Sequence, residues 1–174
     1  MPELRVEVRP PWPFRLRDGS ADGLLRRKGT SLQRLLHRDG APVHVAVIQA
    51  APDRVIFGAR ARSEPDAMWG IRRLRFATGV DEDLRAFHDA FRDDPVIGRA
   101  VRAAPELRPR RASLPWESLA AAVTEQLIEF DRAIAIQRRM IAAWGARCPR
   151  TGLRDAPTPA ALAGAAPAEL TAMD

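Results

Sequence analysis

Residues 32–59 have the sequence LQRLLHRDGAPVHVAVIQAAPDRVIFGA, which predicts antiparallel strands joined by short turns. Val43, Val45 and Val47 alternate with other residues, and a period of two is typical of a half-buried strand. The Asp39-Gly40 pair favours a tight turn because glycine tolerates a positive φ. A second β-rich run follows the Pro52-Asp53 turn, so residues 43–59 should form a hairpin. We therefore expect a small antiparallel sheet.

The chain before this stretch adds a strand and a loop. Residues 4–9 (LRVEVR) also alternate between apolar and polar side chains. Three prolines between residues 10 and 13 prevent the strand from continuing. Trp12 and Phe14 should therefore lie on a stiff loop.

A helix is predicted directly after the hairpin. Ser63 is a good N-cap, Pro65 suits the first turn, and Asp66 provides an acidic group near the helix start. Met68, Ile71 and Leu74 then fall on one helical face, and Gly79 is a plausible C-terminal stop. Residues 1–80 should therefore form an N-terminal α+β domain, a sheet covered by one helix.

The sequence of residues 81–174 predicts a series of helices and no convincing strand. The expected helices begin at the caps Asp81, Asp94, Ser113 and Thr158 and at Phe130, and the one from Phe130 ends at Gly145. The last should run to the end of the chain. Their apolar stripes, such as Trp116, Leu119, Ala120, Val123 and Leu127, are most simply interpreted as core.

The charge is concentrated in the first half of the chain. The 28 basic and 22 acidic residues give a net charge of +6, and Lys28 is the sole lysine. Residues 1–80 carry 15 basic and 8 acidic side chains, whereas the remainder is close to neutral. A basic, arginine-rich half suggests an anionic partner. A GC-rich genome, whose codons favour arginine, is the alternative cause.

Several classes of site and location are disfavoured by the sequence. A single cysteine, Cys148, excludes an intrachain disulfide and a cysteine-rich zinc site. The three histidines lie far apart without metal-ligand spacing, so we expect no metal and no cofactor. No apolar run approaches about 18 residues and no signal core is present. We expect a cytoplasmic protein that does not enter a membrane.

Five short motifs resemble the helix-hairpin-helix DNA glycosylases of the 3-methyladenine type. They are DPVIGRAVR (94–102), PELR (105–108), PWESL (115–119), TEQLI (124–128), and the pair PTPAAL (157–162) with APAEL (166–170). In that family a D-P-x-x-G helix precedes a P-[FW]-E-x-L helix that ends in a Gln-Leu loop. No single motif is strong, but their order is moderately specific, and the resemblance covers essentially the whole chain.

This resemblance implies a fold and a function. It implies a TBP-like sheet domain over residues 1–80, then the first helices of an all-α glycosylase domain over 81–174, truncated before the hairpin. Such enzymes excise alkylated bases from double-stranded DNA after flipping them out of the stack. By resemblance, Leu127 would be the wedge that fills the vacated space, Gln126 its polar neighbour, and Phe130 a wall of the base pocket. A full-length protein would be a monomer.

Two departures from the family pattern limit these implications. Glu125 and Glu129 flank the Gln-Leu pair where the family commonly has glycine first, and acids near phosphates are unfavourable unless they turn inward or pair with Arg132. The Gly-rich hairpin and the catalytic Asp of the family have no counterpart, so no catalytic residue is assigned. We expect this polypeptide alone to show no base excision.

Two other interpretations of the function of this chain remain open. The chain could be a non-catalytic module that binds DNA or a partner, or a helical scaffold without a nucleic-acid role. Leu127 could equally be the last core residue of its helical stripe. The apolar faces of the helices from Trp116 and from Phe130 should also need covering, which favours a partner or aggregation.

Overall fold

The computed structural model describes residues 2–109, 111–126 and 128–173, and these form an α+β fold. A five-stranded antiparallel sheet has the order β1-β5-β4-β3-β2. The strands are β1 (Glu3–Val8), β2 (Leu25–Lys28), β3 (Ser31–Arg38), β4 (Ala41–Ala51) and β5 (Arg54–Arg60). The described helices are α1 (Glu64–Thr78), α2 (Arg85–Phe91), α3 (Gly98–Ala103), α4 (Pro115–Thr124), α5 (Phe130–Trp144), α6 (Pro159–Ala163) and α7 (Pro167–Thr171). The expected fold class is confirmed.

The main core lies between one face of the sheet and α1. Cross-strand partners in an antiparallel sheet point to the same face, and the register pairs Leu32 with Val47 and Leu36 with Val43. These side chains are buried together with Phe57. The alternation predicted from Val43, Val45 and Val47 is therefore the alternation between this core face and the opposite face.

Helix α1 begins and ends where its sequence predicts. The Ser63 side chain accepts a hydrogen bond from the Asp66 amide, and Gly79 closes the helix with a left-handed φ of 65°. Gly70 allows the helix to approach the sheet closely. A Cβ at this position would lie 2.5 Å from Val43 Cγ1 and 2.8 Å from Val45 Cγ2, so any larger residue would force the two layers apart.

Two features of the sheet show how turns and pairing set its shape. Asp39 and Gly40 both have positive φ, 49° and 73°, which matches the right-handed twist of a tight hairpin.

Strand β2 is absent from the sequence prediction. It pairs Leu25 with Arg34 and Lys28 with Ser31, and its basic residues give no alternating pattern, so backbone pairing to β3 defines it.

The helices after residue 80 exist largely as predicted, but several begin elsewhere and several are poorly buried. Asp81 pairs with Arg75 instead of capping a helix, and the Asp83 carboxylate accepts from the Arg85 amide where α2 begins. The Asp94 carboxylate binds the Val96 and Ile97 amides, so that turn precedes α3. No residue of α2 or α4 within the described chain is buried, which contradicts the interpretation of their stripes as core.

The last helical stretch is broken into two. Thr158 caps α6 by accepting from the Ala161 amide, as predicted. Gly164 ends α6, and Pro167 starts the separate helix α7. None of the described helices is long and apolar enough to cross a membrane.

Candidate nucleic-acid interface

The α4–α5 loop (residues 125–129) is held by hydrogen bonds from both helices. The Gln137 side-chain amide donates to Thr124 Oγ1 at 2.8 Å and to the Glu125 carboxylate at 3.2 Å. Glu129 provides the N-cap position of α5, and its carbonyl accepts from the Ala133 amide at 3.0 Å. Both ends of the loop are therefore fixed to helical backbone or to a side chain of α5.

Two of the three predicted site residues lie on this loop and its border, and both are exposed. Gln126 is exposed in the turn after α4, and Phe130, the first residue of α5, is 55% exposed. Leu127 lies outside the described residues. The two described side chains are thus available to a partner, and their roles stay a prediction.

The exposed surface around the loop is partly apolar. Leu119 and Val123 on α4 are 56% and 60% exposed, and Phe130 at the start of α5 is 55% exposed. Burying such apolar side chains is favourable, so they favour contact with another surface. Glu125 and Glu129 of the loop are also exposed.

A buried ionic cluster joins α4 to the sheet. Nη2 of Arg34, on the core-facing side of β3, donates to Glu117 of α4 and, at 3.0 Å, to Asp155. The second oxygen of Asp155 lies 3.0 Å from His37 Nδ1. Arg34 is 1% exposed, and the other oxygen of Glu117 accepts from the Ser113 amide. We call Arg34, His37, Glu117 and Asp155 the Arg34 cluster.

Burial and charge oppose each other within this cluster. Burial raises the pKa of Glu117 above its usual range, and the guanidinium of Arg34 acts in the opposite direction. Removing two charges from water is costly, and mutual attraction with good hydrogen bonding offsets that cost. The cluster therefore attaches the first turn of α4 and residue 155 to β3.

Sequence reasoning missed the Arg34 cluster, although one signal was present. Arg34 stands between Leu32 and Leu36 on the core-facing side of a predicted strand, where a charge requires a partner. The partners lie 83 and 121 residues further along the chain, so spacing alone could not identify them.

A second missed residue, Arg108, connects segments before and after α1. Its guanidinium donates to the carbonyls of Pro13 and Gly79 at 2.8 Å each, and also to those of Trp12, Glu82 and Glu106. It also lies over the Phe14 ring, 5.1 Å from the centroid. Burial lowers the pKa of Arg108.

No metal centre emerges from the described residues, among which no group of three His, Cys, Asp or Glu side chains could hold an ion. Glu117 and Asp155 are already engaged by Arg34. The described acids nearest in sequence to the α4–α5 loop, Glu125, Glu129 and Asp131, are exposed. The described part of the loop can therefore contact another surface through the polar side chain of Gln126 and the aromatic ring of Phe130.

Solved structures identify the architecture. A 3-methyladenine DNA-glycosylase from Archaeoglobus fulgidus superposes on 98% of this chain with a TM-score of 0.78 and 17% sequence identity. The fold is that of DNA glycosylases. The resemblance inferred from the sequence motifs is therefore confirmed at the level of the fold.

Two other glycosylase structures share this architecture with lower scores. An 8-oxoguanine glycosylase/lyase from Clostridium acetobutylicum matches with a TM-score of 0.65 and 16% identity, and MBOgg1 in complex with a low affinity DNA ligand matches with 0.65 and 15%. Each match covers 97% of this chain. No protein-family model and no curated protein matches the sequence.

The chain spans only part of these glycosylases. It covers 61% of the Archaeoglobus protein and 57% of the other two chains. The shared architecture includes the sheet, α1 and the helices that carry the α4–α5 loop.

Proposed function

We propose that this chain belongs to a DNA glycosylase that flips alkylated bases, such as 3-methyladenine, out of double-stranded DNA for hydrolytic excision. The observation that carries the proposal is the superposition of 98% of the chain on a 3-methyladenine DNA-glycosylase with a TM-score of 0.78. A solved complex of the Clostridium acetobutylicum 8-oxoguanine glycosylase/lyase with double-stranded DNA supports duplex DNA as the partner.

The α4–α5 loop is the proposed contact with DNA. A flipped base leaves a gap in the stack, and flipping costs a few kcal/mol, so an inserted apolar side chain stabilises the open duplex. We assign this wedge role to Leu127, with Gln126 as the polar neighbour facing the duplex. Phe130, being exposed, could then lie beside the extruded base, where an electron-poor alkylated ring would pack favourably on it.

Replacing the proposed wedge should remove recognition without harming the fold. Leu127→Ala should lower the preference for abasic over intact duplex about tenfold, equivalent to roughly 1.4 kcal/mol. Fluorescence anisotropy with matched duplexes measures the preference. Leu170→Ala is the control, because Leu170 is a leucine on α7 that is 41% exposed and lies outside α4 and the loop.

The same variant separates a wedge from a core residue. A core leucine would cost about 2–5 kcal/mol of stability when truncated, whereas a wedge variant should melt like the unmodified chain.

Duplex binding should also weaken steeply as salt increases, because phosphate contacts release counterions. Absence of binding at low salt would favour a scaffold with no nucleic-acid role.

Residues 1–174 by themselves should not release bases. The buried carboxylates of Glu117 and Asp155 are engaged by Arg34, while the carboxylates of Glu125 and Glu129 lie on exposed residues of the loop, where water surrounds them. Chromatography of methylated duplex incubated with the protein measures the released base. Any 3-methyladenine above a no-protein control contradicts this expectation.

A further inference from the structure

A second concave site lies at the edge of the main core, away from the α4–α5 loop. This open cleft of about 620 Å³ is lined by residues 14–20, the end of α1, residues 106–109 and Arg111, and none of the described loop residues lines it. Its volume falls in the range of roughly 300–1,000 Å³ that is typical of small-molecule sites. Leu25, Leu32 and Ala77 give it an apolar part. We call it the arginine cleft.

The described lining of the arginine cleft is strongly basic. The arginines are Arg15, Arg17, Arg27, Arg108 and Arg111, and the acids are Asp18 and Glu106. Five cations against two carboxylates leave a local charge of +3. A concave surface of one sign concentrates its field in the cavity, so the cleft should attract anions.

One of these cations is buried without a counter-ion. Arg108 is 4% exposed, and all its hydrogen bonds go to backbone carbonyls, with no carboxylate within ion-pair distance in the described chain. Glu82 and Glu106 attract this charge only from beyond that distance, so part of the cost of burying it remains. An anion held in the cleft would offset that cost without displacing any of the carbonyls.

Other arginines of the cleft keep free donors. Arg27 pairs with Asp18 at 2.9 Å, and Arg111 pairs with Glu82. Arg17, in contrast, uses one Nη atom on the Arg108 carbonyl at 3.2 Å, and Arg15 makes no hydrogen bond or ion pair within the described residues. Both guanidinium groups are on exposed residues of one short loop. Their planar donor forks match the geometry of phosphate oxygens.

We propose that the arginine cleft binds a small organic phosphate. The phosphate group contacts Arg15 and Arg17, and the field of Arg108 adds to the attraction. The apolar part of the ligand packs against Leu25, Leu32 and Ala77. The proposal is independent of the glycosylase function, because it uses no residue of the α4–α5 loop.

Calorimetric titration of residues 1–174 at low ionic strength tests the proposal with two probes, inorganic pyrophosphate and adenosine monophosphate. We expect saturable binding to one site. The variant Arg15→Gln/Arg17→Gln should weaken binding of both probes by about tenfold or more, which is a loss of roughly 1.4 kcal/mol. Arg15→Gln alone should weaken it by a smaller factor, and its exposed position should leave folding unchanged.

The control removes the same charge elsewhere. Arg54→Gln/Arg72→Gln lowers the net charge equally at exposed positions outside the cleft, and binding should change less than about twofold. Equal weakening in both double variants would overturn the proposal, since general charge would then explain the binding. Absence of saturable binding up to millimolar probe would also overturn it.

Competition with DNA identifies the source of the phosphate. A 12-base-pair duplex should bind without displacing pyrophosphate if the cleft accepts small molecules. Stoichiometric displacement, together with loss of duplex binding in Arg15→Gln/Arg17→Gln, would assign the cleft to the DNA backbone and overturn the small-molecule site. Duplex binding that depends on Leu127 alone would leave the proposed glycosylase function intact in either case.

Discussion

Arg34→Ala should lower the free energy of unfolding by about 3–5 kcal/mol, the cost typical of removing one partner from a buried ion pair. The Glu117 and Asp155 side chains are each 8% exposed, so truncation would leave two carboxylates without a cation in a site that excludes water. The attachment of α4 to β3 would weaken with it. The α4–α5 loop should then lose its fixed position, and any duplex affinity should fall as well.

Urea denaturation followed by circular dichroism measures this loss. Arg54→Ala is the matched control, because Arg54 is exposed at the start of β5, and it should change stability by less than about 0.5 kcal/mol. Burial already raises the pKa of Glu117, and loss of the guanidinium raises it further, so the variant's deficit should shrink as the pH falls from 7 towards 4. A deficit below about 1 kcal/mol would show that the cluster contributes little to stability.

Arg108→Met should cost roughly 2–4 kcal/mol, because one buried and four partly buried carbonyls lose their donor, each such loss costs up to about 1–3 kcal/mol, and the losses do not add fully. The side chain joins the Trp12–Pro13 loop to the end of α1 and to residues 82 and 106. Methionine keeps much of the volume and removes all five hydrogen bonds. The unfolding midpoint in urea should therefore fall clearly.

Arg108→Lys separates charge from donor geometry. Lysine keeps the positive charge but has three donors on one atom, which cannot reach carbonyls spread around a planar fork. We expect it to recover less than half of the lost stability. Arg99→Met, at an exposed position of α3, is the control and should have little effect. Full recovery by lysine would mean that charge alone, and not the fork, holds these segments together.

The N-terminal half was the more predictable part of the chain because its signals are local. Alternation identified β1 and β4, the Asp39-Gly40 and Pro52-Asp53 turns marked β3 and β5, and the Ser63 cap and Gly79 stop bounded α1. Each of these features is decided by side chains within a few residues of one another. Strand β2 was not predicted, because it is a strand through its backbone pairing with β3 and its own composition does not indicate one.

The helical half was predicted in outline but not in packing. The stripe on α4 has helical spacing, yet Leu119 and Val123 are more than half exposed. Helical spacing indicates that side chains share one face of a helix, but it does not indicate what packs against that face. The two arginines that organise the chain were also missed, because Arg34 and Arg108 act through partners distant in sequence.

The candidate site was predicted only by resemblance. Composition and spacing alone would have left Gln126 and Phe130 as ordinary residues at a helix junction. The structure places both at the surface, and the fold shared with DNA glycosylases is what makes that position informative.

The order of the strands determines which strands lie at the edges of the sheet, where molecules of this protein could associate. An outermost strand offers unpaired backbone groups, and like proteins can add to it edge by edge. Strand β2, at one margin, is four residues long and has the sequence LRRK, while β1, at the other, carries Glu3, Arg5 and Glu7 between its apolar residues. The shortness of β2 and the charged side chains on both edges should therefore discourage edge-to-edge pairing into fibres.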